Sequence, residues 1–84
     1  MKDSIIIDLC GRLADPVGPS MNIYLGAPTP VSAVLALLTA DYPALAAVLA
    51  DTRVHIAVDE VLASPEALIA PGQRLALFPP VSGG

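Results

Sequence analysis

The residues with the most chemical content are the last seven, Phe78-Pro79-Pro80-Val81-Ser82-Gly83-Gly84. Pro79 and Pro80 forbid further helix or central strand, because each fixes φ and removes a backbone donor. Gly83 and Gly84 carry no side chain, so the chain ends in its most slender form, with a bare carboxylate at the tip. Such an end can thread a narrow channel and present that carboxylate to another protein's active site. A frayed terminus is the ordinary fate of a chain end, and Gly-Gly alone would not argue against it. The six residues from Pro79 to Gly84 reach at most roughly 20 Å when extended. The two prolines would stiffen the base of such a tail and lower its ordering cost on insertion.

No other group competes as a reaction centre. Cys10 is the one cysteine, which excludes an internal disulfide and a CxxC metal or redox site. A cysteine nucleophile wants an activating His or positive charge, and the sequence places none beside it. His55 is the one histidine and falls at an outward position of an alternating strand, as a polar surface residue does. Asp59 and Glu60 are adjacent, so on a strand they would point to opposite faces and would not converge as paired carboxylates. They read as a solvated turn. No clustering of His, Cys and carboxylates suggests a metal ligand set.

The composition agrees with a partner. Eighty-four residues make one domain with a marginal core, yet 55% are hydrophobic and 14% charged, with a mean hydropathy of +0.71. That is more apolar material than one small core needs, and it points to a covered surface patch. The 30–50 stretch is the one long enough to span a bilayer, but Asp41 and Pro43 interrupt it, so two short helices are expected there. The N-terminus lacks a basic region followed by an apolar core, so no signal peptide is expected and the location is expected to be cytoplasmic. Net charge is −4 with four Lys or Arg, which argues against nucleic-acid binding.

Several elements must position the tail. Ile5, Ile7 and Leu9 share one face of a strand over 4–10, with Ile6, Asp8 and Cys10 on the other. Turn signals at Asp15-Pro16 and Gly18-Pro19 lead to a second alternating stretch over 20–26, so the two form an antiparallel hairpin. Thr29-Pro30 is the expected helix start, with Thr29 capping and Pro30 in the first helical position. Val31, Val34, Leu35 and Leu38 form a helical core face that ends before Pro43. Leu45, Val48 and Leu49 mark a shorter second helix. Val54, Ile56 and Val58 point inward from a third strand, with His55 and Ala57 outward. A short strand at Val61-Leu62 and a turn at Ser64-Pro65-Glu66 follow. Pro71-Gly72 suits the centre of a type II turn into a last strand over 73–78. Leu75 and Leu77 share one face of it, so Phe78 points away from the helices and is the candidate interface anchor. This order fits an α+β layer in which a right-handed crossover lays the last strand parallel to the first.

The terminal Phe78-Pro79-Pro80-Val81-Ser82-Gly83-Gly84 resembles the end of the small subunit of molybdopterin synthase, the MoaD-type sulfur carrier of the ubiquitin-like family. The element order is similar along essentially the whole chain, and the 29–43 and 53–58 stretches are similar to that family's helix and third strand. The resemblance implies a ubiquitin-like β-grasp: a mixed sheet of four to five strands, with one main and one short helix on one face. It divides the chain into a 1–78 domain and an extended, flexible tail over 79–84. It further implies that a ubiquitin-activating-like adenylyltransferase adenylates Gly84 with ATP and that a persulfide donor converts it to a thiocarboxylate. Phe78, Pro79, Pro80, Val81, Ser82 and Gly83 would then engage the large subunit of the synthase. The sulfur would pass to a cyclic pyranopterin precursor within a heterotetramer of two carriers and two large subunits. No cofactor is expected to be bound by this chain itself. Family members often carry Asn where Asp59 stands and an aromatic residue where Leu77 stands, and the 11–18 turn matches no family pattern. Other carriers that end in Gly-Gly serve thiamine thiazole, tRNA thiolation or an amino acid. A ubiquitin-like modifier or a non-covalent β-grasp adaptor would also fit the body.

Overall fold

The computed structural model describes residues 3–51 and 54–79. Strand β1 (Ser4–Leu9) buries Ile5, Ile7 and Leu9, as the alternation requires. A 3₁₀ turn over Gly11–Ala14 follows and docks Leu13 fully into the core. Strand β2 (Ser20–Tyr24) returns antiparallel to β1, with Ile5 opposite Ile23 and Ile7 opposite Met21.

The helix start differs from the expectation. Helix α1 (Val31–Asp41) begins one residue later, and Pro30 sits at its N-cap in an extended conformation. Thr29 does not cap it; its hydroxyl donates to the Ala27 carbonyl at 2.9 Å. Thr29–Pro30 is instead a two-residue strand, β3, paired antiparallel with β6 (Leu68–Ile69). This pairing brings a distant loop over the helix end. The Val31 and Ser32 N–H groups donate to the Ala67 and Pro65 carbonyls, each at 2.9 Å. Two donors that a local side chain was expected to satisfy are thus satisfied by backbone more than thirty positions away.

Helix α1 packs Val31, Val34 and Leu38 into the core with Leu35 beside them. It stops at Tyr42, whose φ of −129° and ψ of 83° are non-helical, as the residue before proline requires. Helix α2 (Pro43–Asp51) then buries Leu45, with Val48 and Leu49 packed at the margin. Among the described residues, no helix is long and apolar enough to cross a membrane.

Strand β4 (His55–Val58) buries Ile56 as expected. Ala57 faces outward but is also buried, because its small side chain lies between cross-strand neighbours Ala76 and Leu62. Strand β5 (Val61–Ala63) pairs with β4, and β7 (Arg74–Phe78) enters from a Pro71-Gly72 turn. Gly72 has φ of +91°, and the Gln73 N–H donates to the Ala70 carbonyl at 3.1 Å, which closes the expected type II turn.

The main sheet has the order β2-β1-β7-β4-β5. β7 runs parallel to β1 and antiparallel to β4. Leu75 and Leu77 are fully buried opposite Ile7 and Leu9, in one core with both helices. The result is a mixed five-stranded sheet with two helices on one face, the ubiquitin-like β-grasp that the chain was expected to form.

Candidate functional site at the end of the central strand

The last strand is also the middle strand. Residues leaving β7 therefore start from the most firmly held part of the sheet, with ladder partners on both sides. Since Leu75 and Leu77 point into the core, alternation sends Arg74, Ala76 and Phe78 to the open face. Phe78 is half-buried there. Its ring lies 5.6 Å from that of His55 between centroids, tilted by 30°, and the two residues are direct cross-strand partners. The expected outward positions of both side chains are thus connected: His55 braces the aromatic residue at the root of the tail.

The open face continues across the sheet. Register aligns Asp8, Ala76, Ala57 and Leu62 in one row. Ile6 flanks this row at 36% exposure, and Leu62 ends it at 71%. Part of the apolar surplus read from composition is therefore on the surface, on the same open face as Phe78. Among the described residues, this face also carries an ion pair. Arg74 Nε and Nη2 donate to the two Asp8 carboxylate oxygens, the second at 3.1 Å. The hydrogen bond that Arg74 donates to Asp8, and then the Asp8 charge, raise the already high pKa of Arg74, so this cation persists at any physiological pH.

The turn at Asp59-Glu60 is not merely solvated. Both residues have positive φ, 49° and 71°, in the two-residue loop that joins β4 to β5. The Asp59 carboxylate accepts from the Arg74 N–H and from Gln73 Nε2, both at 2.9 Å. The Gln73 side-chain oxygen in turn accepts from the Ala70 N–H at 2.7 Å. Asp59 therefore fastens the hairpin to the entry of β7. Asp59→Ala should lower unfolding free energy by about 2 kcal/mol, combining lost hydrogen bonds with loss of the short polar side chain that lets Asp tolerate the left-handed backbone. Asp59→Asn should lower it by less than about 1 kcal/mol, since Asn tolerates that backbone and keeps an acceptor. Urea unfolding midpoints of the two variants check this ordering.

Of the residues proposed for the site, Phe78 and Pro79 are described, and the structure places them consecutively at the end of the central strand. Pro80, Val81, Ser82, Gly83 and Gly84 lie outside the described residues. Cys10 is an exposed free thiol at the head of the 3₁₀ turn. Among the described residues, no group of three or more His, Cys, Asp or Glu could hold a metal ion. Sequence reasoning missed Asp59, Arg74 and Gly11 as parts of this region. For Asp59 the available signal was its place in a two-residue hairpin loop, where positive φ favours Asn, Asp and Gly.

Comparison with known proteins agrees with this architecture. The profile described as the ThiS family matches residues 7–84. The crystal structure of SAMP1 from Haloferax volcanii is similar with a TM-score of 0.81 and 27% identity, covering 96% of this chain and 99% of that one. The solution structure of small archaeal modifier protein 1 from Methanosarcina acetivorans is similar in fold, with a TM-score of 0.75, 23% identity and 96% coverage of both chains. A search of curated proteins found no match. A profile match from the middle of β1 to the C-terminal glycine, over a β-grasp that ends in its central strand, establishes that this chain belongs to the ThiS family of small ubiquitin-like sulfur carriers.

Proposed function

We propose that this protein is the sulfur-carrying subunit of a molybdopterin synthase and that Gly84 carries the sulfur as a thiocarboxylate. The observation that carries the reading is the placement of Phe78-Pro79 at the end of the central strand, followed in sequence by Pro80-Val81-Ser82-Gly83-Gly84. A rigid body, an aromatic anchor and a narrow end with a free carboxylate are what a tethered sulfur donor requires.

The chemistry follows from the weakness of a carboxylate as an electrophile. A carboxylate oxygen of Gly84 attacks the α-phosphorus of ATP, and pyrophosphate leaves. The terminal sulfur of a persulfide donor then displaces AMP from the acyl carbon. A thiol reductant cleaves the resulting acyl disulfide and leaves the thiocarboxylate on Gly84. That sulfur is a better nucleophile than the oxygen it replaced; it displaces an oxygen substituent from a carbon of the cyclic pyranopterin held by the large subunit, and water then cleaves the thioester so formed, leaving sulfur on the pterin and returning the Gly84 carboxylate. The partner's pocket must exclude water while the thioacid is exposed. This chain contributes sulfur, reach and docking surface, while the adenylyltransferase and the large subunit contribute the acid, base and anion-binding groups. On this reading the protein works in the cytoplasm.

Return of molybdenum-enzyme activity in cells lacking their own carrier subunit tests the assignment. Relief of a thiamine requirement without that return would favour a thiazole carrier instead. A second reading, a protein modifier joined to lysines through Gly84, is favoured by the likeness to SAMP1 at 27% identity. Lysine conjugates of this chain in cells, with no return of molybdenum-enzyme activity, would select it.

A further inference from the structure

Three consecutive residues at the root of the C-terminal segment are each held by a different contact. The Leu77 carbonyl accepts from the Cys10 N–H at 3.1 Å, one rung beyond the last register pair of β1 and β7. The Phe78 ring lies against His55. Pro79 lies against Gly11: a β-carbon built on Gly11 would sit 3.4 Å from Pro79 Cγ and 3.7 Å from Cδ. Gly11 has φ of +60°, a left-handed conformation that turns the chain sharply out of β1. The turn is fixed from below, because the Leu13 N–H donates to the Cys10 carbonyl at 3.2 Å and the Leu13 side chain is fully buried.

Proline makes this contact directional. Its ring locks φ, so the orientation in which the ring is packed constrains the course of the chain beyond it. We infer that the Cys10–Gly11 turn is a positioning element for sulfur loading, one that sets the direction in which the C-terminal segment leaves the sheet. The inference rests on the sulfur-carrier reading. A carrier with no acid or base of its own contributes to rate through placement of its carboxylate, and placement errors on the order of 1 Å can cost a hundredfold.

The test is Gly11→Asn, because Asn tolerates the left-handed backbone while its side chain presses on the Pro79 ring. Wild type, Gly11→Asn, Pro79→Ala and the double variant are compared for adenylation by the activating enzyme. The expected result is a fall of about tenfold in kcat for Gly11→Asn with KM changed less than about twofold. In the Pro79→Ala background, where no ring remains to be displaced, the same substitution should cost less than about twofold. An unchanged kcat, or an equal loss with and without the Pro79 ring, would overturn the inference. Proton NMR gives a readout independent of activity: a Gly11 Hα to Pro79 Hγ contact in the wild type, with the Pro79 ring-proton shifts displaced in Gly11→Asn. Its absence from the wild type would also overturn the inference. If wild-type protein shows this contact but is never adenylated, the carrier reading fails, and the positioning role falls with it.

Discussion

Deleting Gly84 should abolish adenylation while leaving thermal unfolding unchanged. The carboxylate would still exist, on Gly83, but the chain would be shorter by one residue, about 3.4 Å when extended. An activating enzyme must bring a carboxylate oxygen to in-line contact with the α-phosphorus, and a reacting atom held several ångströms short has lost the orientation that makes the step fast. A loss of at least about a hundredfold in kcat/KM is expected. Adding one residue after Gly84 should do the same by carrying the carboxylate past its contact and replacing the slender end. ATP–pyrophosphate exchange with the activating enzyme reads both variants. The fold should not respond, since the core is built from Ile5, Ile7, Leu9, Leu75, Leu77 and the helix faces, all upstream of Pro79. Exchange at the wild-type rate, with intact mass showing no trimming, would remove Gly84 from its assigned role.

Phe78→Ala should weaken binding to the synthase large subunit by about 2 kcal/mol, or roughly thirtyfold, the range of a central aromatic anchor at an interface. Phe78 is suited to this because its backbone is fixed in the central strand while its ring remains half-exposed on the open face beside His55. Ala76, Ala57 and Leu62, in the next row of the same face, and Ile6 farther along it extend the apolar surface. The stability cost should be smaller, about 1 kcal/mol, because the ring leaves a partly solvated site and one aromatic contact. His55→Ala should reproduce only part of the binding loss, since it removes the brace and keeps the anchor. Titration calorimetry with the purified large subunit separates the two variants. An unchanged dissociation constant for Phe78→Ala would place the docking surface elsewhere.

The parts of this fold legible in the sequence are those with a one-sided core. β1, β4 and β7 each alternate because one face meets the helices and the other does not, so Ile5, Ile7, Ile56, Leu75 and Leu77 could be assigned inward. The break between α1 and α2 was legible because Pro43 restricts Tyr42 directly. The β3–β6 ladder was not, because two residues carry no period, and Thr29-Pro30 has the composition of a local cap. There the long-range pairing took the donors that a side chain was expected to satisfy. The site divides the same way. The outward direction of Phe78 followed from Leu75 and Leu77 on the same strand. The Asp8–Arg74 pair joins residues 66 positions apart, and the approach of Gly11 to Pro79 arises from a similar separation. Nothing local marks such contacts; they exist because the first and last strands lie side by side.

Whether Gly84 carries sulfur can be read directly by intact-mass spectrometry. The wild-type protein is incubated with a ubiquitin-activating-like adenylyltransferase, ATP, a persulfide donor and a thiol reductant, and its mass is measured before and after. The expected result is a mass increase equal to exchange of one oxygen for sulfur, located to the C-terminal peptide and lost when ATP is omitted. An unchanged mass under conditions that load a known carrier, or attachment of the chain to lysines without any sulfur exchange, would contradict it.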